Sequence, residues 1–408
     1  MKEFEYIIVG AGITGLTAGR ILQLQNNNNF IVLESNDNIG GMCATKKIGE
    51  HYFDIGGGHV LHSPHKHIMD FVFSHIPKED FNHYNSKIKI KLKDHIIDFP
   101  IELNIWQLPP NEQVEYLMSI IEASKSEPEI ISNFENWIRC RLGSKIADEY
   151  MIPYNKKLWC IDISKISNDW LYKIPKTNLK KILKTIVEKD AKFDRTVVSH
   201  SSFYYPKYDG FQAIPNAIHE KIKDHVLLNT SVDKIKYENG SWIVNDTYKA
   251  KNIINTVPWM TLNIESINDD FEKMIELSNS LEYIGNVASL IEKDYDHDSH
   301  WMYIPDDSTK HHREFYIHNF VPYSKKNGVM TDINIKRWVE TRDDCLYKHI
   351  NTISYPIPTV NYKDIIKQIL DFYAKYNLYG LGRWGKWEYY NIDTCIKDVM
   401  EFFNYEQR

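Results

Sequence analysis

Cysteine is scarce in this chain. Cys43, Cys140, Cys160, Cys345 and Cys395 are scattered over 408 positions, odd in number and without a CxxC pair. That excludes a disulfide scaffold and a thiolate metal site, and predicts buried thiols in a reducing compartment. No apolar run approaches the roughly 20 residues of a membrane helix. The opening Met1-Lys2-Glu3-Phe4-Glu5 runs straight into a strand-like segment and leaves no room for a secretory signal. The chain is therefore expected to be soluble and cytoplasmic, with no membrane partner. An excess of basic charge is missing too. The net charge of −6 argues against a general nucleic-acid binder. There is no HExxH, no local signature of a Ser-His-Asp arrangement, and no carboxylate pair that spacing places on one face. His311 and His312 are adjacent, which chelates one ion poorly, so no metal site is expected. Internal repeats are absent, and Asn26 to Asn29 is the one low-complexity spot.

What is present is ordinary in bulk and specific in detail. The hydrophobic share is 43% and the charged share 25%, as in a globular protein with room for two or three lobes. Aromatics reach 13%, with 26 Tyr and 10 Trp, which suits stacking on the rings of a cofactor, base or sugar.

The organising stretch is Tyr6 to Glu34. Tyr6-Ile7-Ile8-Val9 is a short apolar run suited to a buried parallel strand. Gly10-Ala11-Gly12-Ile13-Thr14-Gly15 follows, then a helical period from Leu16 to Leu24, then Phe30-Ile31-Val32-Leu33-Glu34. Gly10 serves the tight turn, Gly12 the close approach of a pyrophosphate, and Gly15 the packing of helix on strand. The helix N-terminus offers free N–H groups to that pyrophosphate. Glu34 ends the second strand where an acid accepts hydrogen bonds from a ribose. The second glycine pair, Gly40-Gly41 before Met42, resembles flavoproteins of the glutathione-reductase type and favours resident FAD over a visiting nicotinamide.

Further along, Gly56-Gly57-Gly58-His59 suggests backbone lying flat against a flat ligand. Residues 87–99 alternate apolar and polar with a pause at Lys93-Asp94, a hairpin signal. Residues 111–183 carry a helical period. Tyr204 to Phe211 reads as a turn, followed by a helix near Ile214 to Ile222. Val226 to Ile235, Trp242 to Val244 and Asn252 to Pro258 read as later strands of the dinucleotide fold, with the backbone of Val232 beside an adenine. Residues 283–350 are strand-rich. The expected fold is α/β. A Rossmann-like FAD-binding domain (1–100, 205–260 and 350–408) carries an inserted helical lobe (101–204) and a sheet-based substrate lobe (261–349).

Several local signatures are more specific. They are Gly57-Gly58-His59-Val60, Phe99-Pro100, Pro153-Tyr154-Asn155-Lys156-Lys157-Leu158-Trp159, Tyr303 with Arg313, Tyr355-Pro356-Ile357-Pro358-Thr359, Gly382-Arg383-Trp384-Gly385 with Tyr389, and Asn391-Ile392-Asp393. Together they resemble the UDP-galactopyranose mutase family of flavin-dependent sugar-nucleotide mutases, nearer its eukaryotic-type branch. Tyr204-Tyr205 departs from that pattern, which has an arginine there.

The resemblance implies an isomerase that interconverts pyranose and furanose forms of a nucleotide sugar through a covalent N5-flavin–sugar adduct on reduced FAD. The reductant would be external NAD(P)H or a chemical one. It implies catalytic roles for Arg313 and Arg383, whose guanidinium forks suit a departing diphosphate, and for His59 at the flavin face. It implies substrate contacts from Tyr303, Tyr355, Tyr389, Asn155, Trp159, Phe99 and Asp393. It implies cofactor contacts from Gly10, Gly12, Gly15, Glu34, Gly41, Met42, Gly58, His59, Val232, Gly382, Asn391, Ile392 and Thr394. The alternative is an FAD-dependent oxidoreductase of the amine-oxidase or protoporphyrinogen-oxidase type, which shares the N-terminal motifs but has no diphosphate to hold. The sugar, the base and the oligomeric state stay open, self-association included.

Overall fold

A computed structural model describes residues 1–125, 133–169, 178–190, 201–339 and 345–406. The chain forms β1 (Lys2–Val9), β2 (Phe30–Leu33), β3 (Thr45–Ile48), β4 (His51–Asp54), β5 (Phe81–Asn85), β6 (Ile88–Leu92) and β7 (His95–Asp98) in its first hundred residues. After a helical stretch come β8 (Ser202–Pro206), β9 (Val226–Leu227), β10 (Ile235–Glu238), β11 (Ser241–Val244) and β12 (Tyr248–Asn255). The later strands are β13 (Tyr283–Glu292), β14 (Trp301–Tyr303), β15 (Arg313–Tyr316), β16 (Gly328–Asn334), β17 (Cys345–Pro356) and β18 (Leu378–Gly380).

Two seven-stranded sheets organise the molecule. The first runs β10-β11-β12-β1-β2-β9, with β18 also pairing β12. Its centre is parallel: Ile7 lies opposite Ile253 on one side and Ile31 on the other. Ile7, Ile8, Phe30, Val32, Ile253 and Ile254 are fully buried, as strands covered on both faces must be. The helix Ile13–Leu24 packs on one face, and the helices Asp269–Asn279 and Tyr362–Ala374 cover the other through Phe271, Ile369 and Tyr373.

The second sheet runs β17-β13-β16-β15-β14-β6-β7. It is antiparallel except where β14 lies parallel to β6, Met302 beside Lys89. The 87–99 hairpin forms as expected, and it belongs to this second sheet rather than the first. The helix Asp269–Asn279 goes the other way and packs on the first sheet. The helical lobe has its own core of Phe134, Ile138, Tyr150 and Trp159, under Ile90 and Ile97 of the second sheet. The part of that lobe at 126–132, 170–177 and 191–200 lies outside the described residues.

Two local expectations change. Tyr204 to Pro206 is strand, paired with β5, and the turn begins only at Asp209 and Gly210, both at positive φ. The segment Val226 to Ile235 is not one strand. It pairs for two residues as β9, then turns at Asn229 (φ +50) and leaves the sheet.

Candidate active site

A cleft of about 630 Å³ opens at the C-terminal ends of β1, β2 and β12. This is where an open parallel sheet presents its strand ends and binds its ligands. At one end it is lined by Glu34, Thr230, Val232 and Thr261, and at the other by Met42, His59, Arg383, Tyr390, Asn391 and Ile392. Gly10, Gly12 and Gly41 lie between.

The glycines divide by function. Gly10 has φ +97, a conformation that L residues rarely adopt. Gly12 faces open space, since a Cβ there would meet nothing within 4 Å. Gly15 does not line the cleft. A Cβ on it would sit 1.9 Å from the carbonyl oxygen of Gly10, so it sets how closely the helix approaches β1. Gly58 and Gly382 also lie off the cleft, and a Cβ would strike the ring of Phe315 at 2.4 Å or Oγ1 of Thr14 at 2.2 Å.

Glu34 is 6% exposed and accepts from the backbone N–H of Ala11 at 2.7 Å and from the side chain of Asn36 at 2.7 Å. These bonds fix the position of the carboxyl group at the end of β2. Opposite, the helix Ile392–Phe402 turns its N-terminus toward the cleft, with Asn391, Ile392 and Cys395 in the lining. Thr394 is not in the lining, and its hydroxyl donates to Asp393, which is buried. These residues fit FAD: an open glycine for the pyrophosphate, an acid for the ribose and a helix N-terminus at the far end.

At and beyond the flavin end of the cleft lies a cluster of mostly half-buried aromatic and cationic side chains. Tyr303 and Arg313 sit opposite each other across β14 and β15. The ring of Tyr303 meets those of Phe99 and Tyr154, with centroids 5.5 and 5.2 Å apart. Tyr355 and Tyr389 lie 5.2 Å apart, and the Arg383 guanidinium stacks over both, at 5.1 and 5.9 Å. Arg383 donates from Nε and Nη2 to the carbonyl of Tyr390, at 3.0 and 2.8 Å. Asn155 and Trp159 are buried and bond each other at 3.1 Å. Trp159 backs the Tyr389 ring from 5.7 Å, so these two support the wall rather than face the cleft.

Arg313 stands over the Phe315 ring and donates from Nη2 to Asp332 at 2.7 Å. Burial is the largest influence and works against its charge, but the Asp332 carboxylate together with the phenols of Tyr355, Tyr154 and Tyr389 offsets it and holds the pKa above the ordinary arginine value. Asp332 is buried and was not anticipated. The available signal was an acid inside the otherwise strand-like run Gly328 to Asn334. Tyr154 was also missed, although it sits inside the Pro153–Trp159 motif. At the Tyr204–Tyr205 departure, Tyr204 stacks on His83 at 4.4 Å. Tyr205 is buried, and its hydroxyl donates to Asp54 at 3.3 Å.

His59 projects at the flavin end with its Nδ1 buried and without a hydrogen-bond partner. Burial, aided by Arg383, lowers its pKa to about 4. Burial likewise lowers His300 to about 4 and His312 to about 3, from an ordinary 6.5. In each case the unfolded chain takes up a proton that the fold refuses. Their contribution to stability is full above pH 6.5 and is lost as pH falls toward 4. Asp54 acts in the opposite direction. Burial raises it to about 6 from 3.8, so its protonation favours the fold as pH drops below 6. These histidines, with Glu149 and Glu314 lowered to about 2 by hydrogen bonds that outweigh burial, act against Asp54 and Asp398, and melting temperature should fall between pH 7 and 4. A thermal-shift series checks this, and His312→Asn should flatten the slope.

Residues 8–73 match the NAD(P)-binding Rossmann-like domain. A crystal structure of reduced UDP-galactopyranose mutase superposes with a TM-score of 0.87 over 98% of this chain and 95% of that one, at 20% identity. The chain has the fold of UDP-galactopyranose mutase. A putative protoporphyrinogen oxidase from Exiguobacterium sp. 255-15 superposes less well, at TM-score 0.70 and 15% identity over 99% of this chain and 98% of that one. In sequence, the chain is 24% identical to a UDP-galactopyranose mutase of Mycoplasma genitalium over 50% of its own length and 47% of the relative's. It is 23% identical to a dTDP-fucopyranose mutase of Escherichia coli over 41% and 45%. The matched region thus spans about half the length of these curated relatives. Among the described residues no helix is long and apolar enough to cross a membrane.

Proposed function

We propose that this chain is a flavin-dependent isomerase that interconverts pyranose and furanose forms of a nucleotide sugar, with FAD active in its reduced state. One observation carries the reading. The Arg383 guanidinium stacks over Tyr355 and Tyr389 at the flavin end of a dinucleotide cleft, and Arg313 lies within electrostatic reach of the same two phenols. A fixed dication walled by phenols suits a leaving diphosphate.

When bound and reduced, FAD supplies a nucleophilic N5 for the anomeric carbon. The chain's residues do the rest. Arg313 and Arg383 hold the departing phosphates. Tyr303, Tyr355 and Tyr389 donate phenol hydrogen bonds to phosphate oxygens and exclude water. His59, neutral at physiological pH, offers a ring nitrogen beside the flavin without adding a third positive charge. Glu34 and Val232 hold the adenosine half of the cofactor.

Similarity to a protoporphyrinogen oxidase keeps a second reading in view, and a direct assay separates the two. The oxidised, yellow protein should consume no oxygen with amines or protoporphyrinogen. It should instead bind UDP or dTDP. Rapid oxygen uptake with either oxidase substrate, and no binding of a nucleoside diphosphate, would replace the mutase reading with the oxidase one.

A further inference from the structure

A buried polar chain joins the two arginines. Asp332 receives Arg313 Nη2 on Oδ2 and the side-chain amide of Asn286 on Oδ1, both at 2.7 Å. Asn286 then accepts, on its own Oδ1, a short hydrogen bond from the Ser354 hydroxyl. The Ser354 carbonyl lies 3.5 Å from Arg383 Nη1, and the next residue, Tyr355, places its ring under the same guanidinium. Asp332, Asn286 and Ser354 are each at most 1% exposed.

The direction of the chain is fixed by chemistry. An ionised carboxylate only accepts, so Asn286 must donate with its amide and accept with its carbonyl, and Ser354 must donate. The backbone is shaped to make the joint. The register between β13 and β17 slips between Ile284 and Asn286, bringing residues 352–354 over Gly285. A Cβ on Gly285 would lie 2.5 Å from the Asn351 carbonyl oxygen and 2.6 Å from that of Thr352. A polar network so deeply buried costs stability unless every member is satisfied, and it rewards satisfaction with a unique geometry.

We infer that Asp332, Asn286 and Ser354 are positioning residues that set the spacing and orientation of the Arg313 and Arg383 guanidiniums for one diphosphate. The two arginines come from different parts of the fold, β15 and the short helix Gly382–Gly385, and their like charges repel. Asp332 supplies the counter-charge on one side, and the Asn286–Ser354 link carries that constraint across β13 and β17 to the other. The inference rests on the diphosphate-holding role proposed above.

The test uses the FAD-loaded protein and UDP as probe, with affinity read by calorimetry. Ser354→Ala removes the link without touching either guanidinium, and should weaken UDP about tenfold while flavin content is retained. In an Arg383→Ala background the same change should shift affinity less than about twofold, because its second arginine is gone. A merely structural serine would lower affinity equally in both backgrounds, and that result overturns the inference. So does a Ser354→Ala protein that binds UDP like the wild type. If Ser354→Ala loses its flavin, Asn286→Leu, which breaks both joints but keeps the Arg313–Asp332 pair, is read in the same cycle. Loss of flavin from both variants makes the segment a folding element and also overturns it. Wild-type protein that binds UDP with the predicted coupling but has no mutase activity keeps this inference and removes the proposed reaction. Wild-type protein that binds no UDP removes both.

Discussion

Arg383→Ala should cut turnover by about two powers of ten or more while FAD stays bound. The size follows from what holds Arg383. Its guanidinium is tethered by carbonyl oxygens of Tyr390 and Ser354 and by the faces of Tyr355 and Tyr389. Among the described residues no carboxylate lies within ion-pair distance of it. Dipoles and rings thus fix its direction but leave its full charge for a ligand. Arg313 differs, because Asp332 already balances it at 2.7 Å. Arg313→Ala would strand a buried carboxylate and mix a stability loss of about 3–5 kcal/mol with any catalytic one. Arg383 is therefore the cleaner substitution. Turnover of a pyranose nucleotide, measured with the flavin absorbance of the same sample, checks it. A near-normal rate would take Arg383 out of the chemistry.

Gly15→Ala should leave the protein without flavin, or insoluble. The added Cβ would lie 1.9 Å from the Gly10 carbonyl oxygen and 3.3 Å from a methyl of Ile8. The first contact is with backbone, so no side chain swings aside to relieve it. Either the helix Ile13–Leu24 lifts from β1, or the Gly10–Gly12 turn deforms. Both open a face where Ile8, Leu16 and Ala18 are fully buried. Overpacking of this kind costs about 1–3 kcal/mol when side chains absorb it, and more when backbone must. Gly12→Ala is the control. Its Cβ has free space, so the fold should survive and the loss should fall on FAD affinity. The ratio of flavin to protein absorbance in the two variants separates the effects.

How far the sequence was legible depends on the range of the interaction. The β1–helix–β2 unit was readable because its strands, glycines and acid are set by neighbours within thirty residues. Arg313 with Tyr303 and Arg383 with Tyr389 were recognised as motifs, each local. Asp332, Asn286 and Ser354 were not, because their partnership exists only once β13, β16 and β17 align. The 88–98 hairpin was legible as a hairpin, but not its sheet, which is chosen by β14 some two hundred residues later. Val226 to Ile235 has the composition of a strand. What ends it early is Asn229 in a left-handed conformation and Thr230 bonding back to Glu34, and the chain then brings Val232 to the cleft. Tyr204 to Pro206 looked like a turn because Pro206 and Asp209-Gly210 dominate the local signal. Pairing with β5 decides otherwise.

In the proposed reaction a reduced flavin, Arg383 at the cleft and Arg313 beyond it exchange the ring size of a nucleotide sugar. The most direct measurement is proton NMR of the dithionite-reduced protein incubated with a panel of UDP- and dTDP-linked pyranoses. New furanose anomeric signals should appear with at least one of them, and should be absent with oxidised protein or with Arg383→Ala. Unchanged pyranose spectra across the panel, from reduced protein shown to hold FAD and bind UDP, would contradict the account.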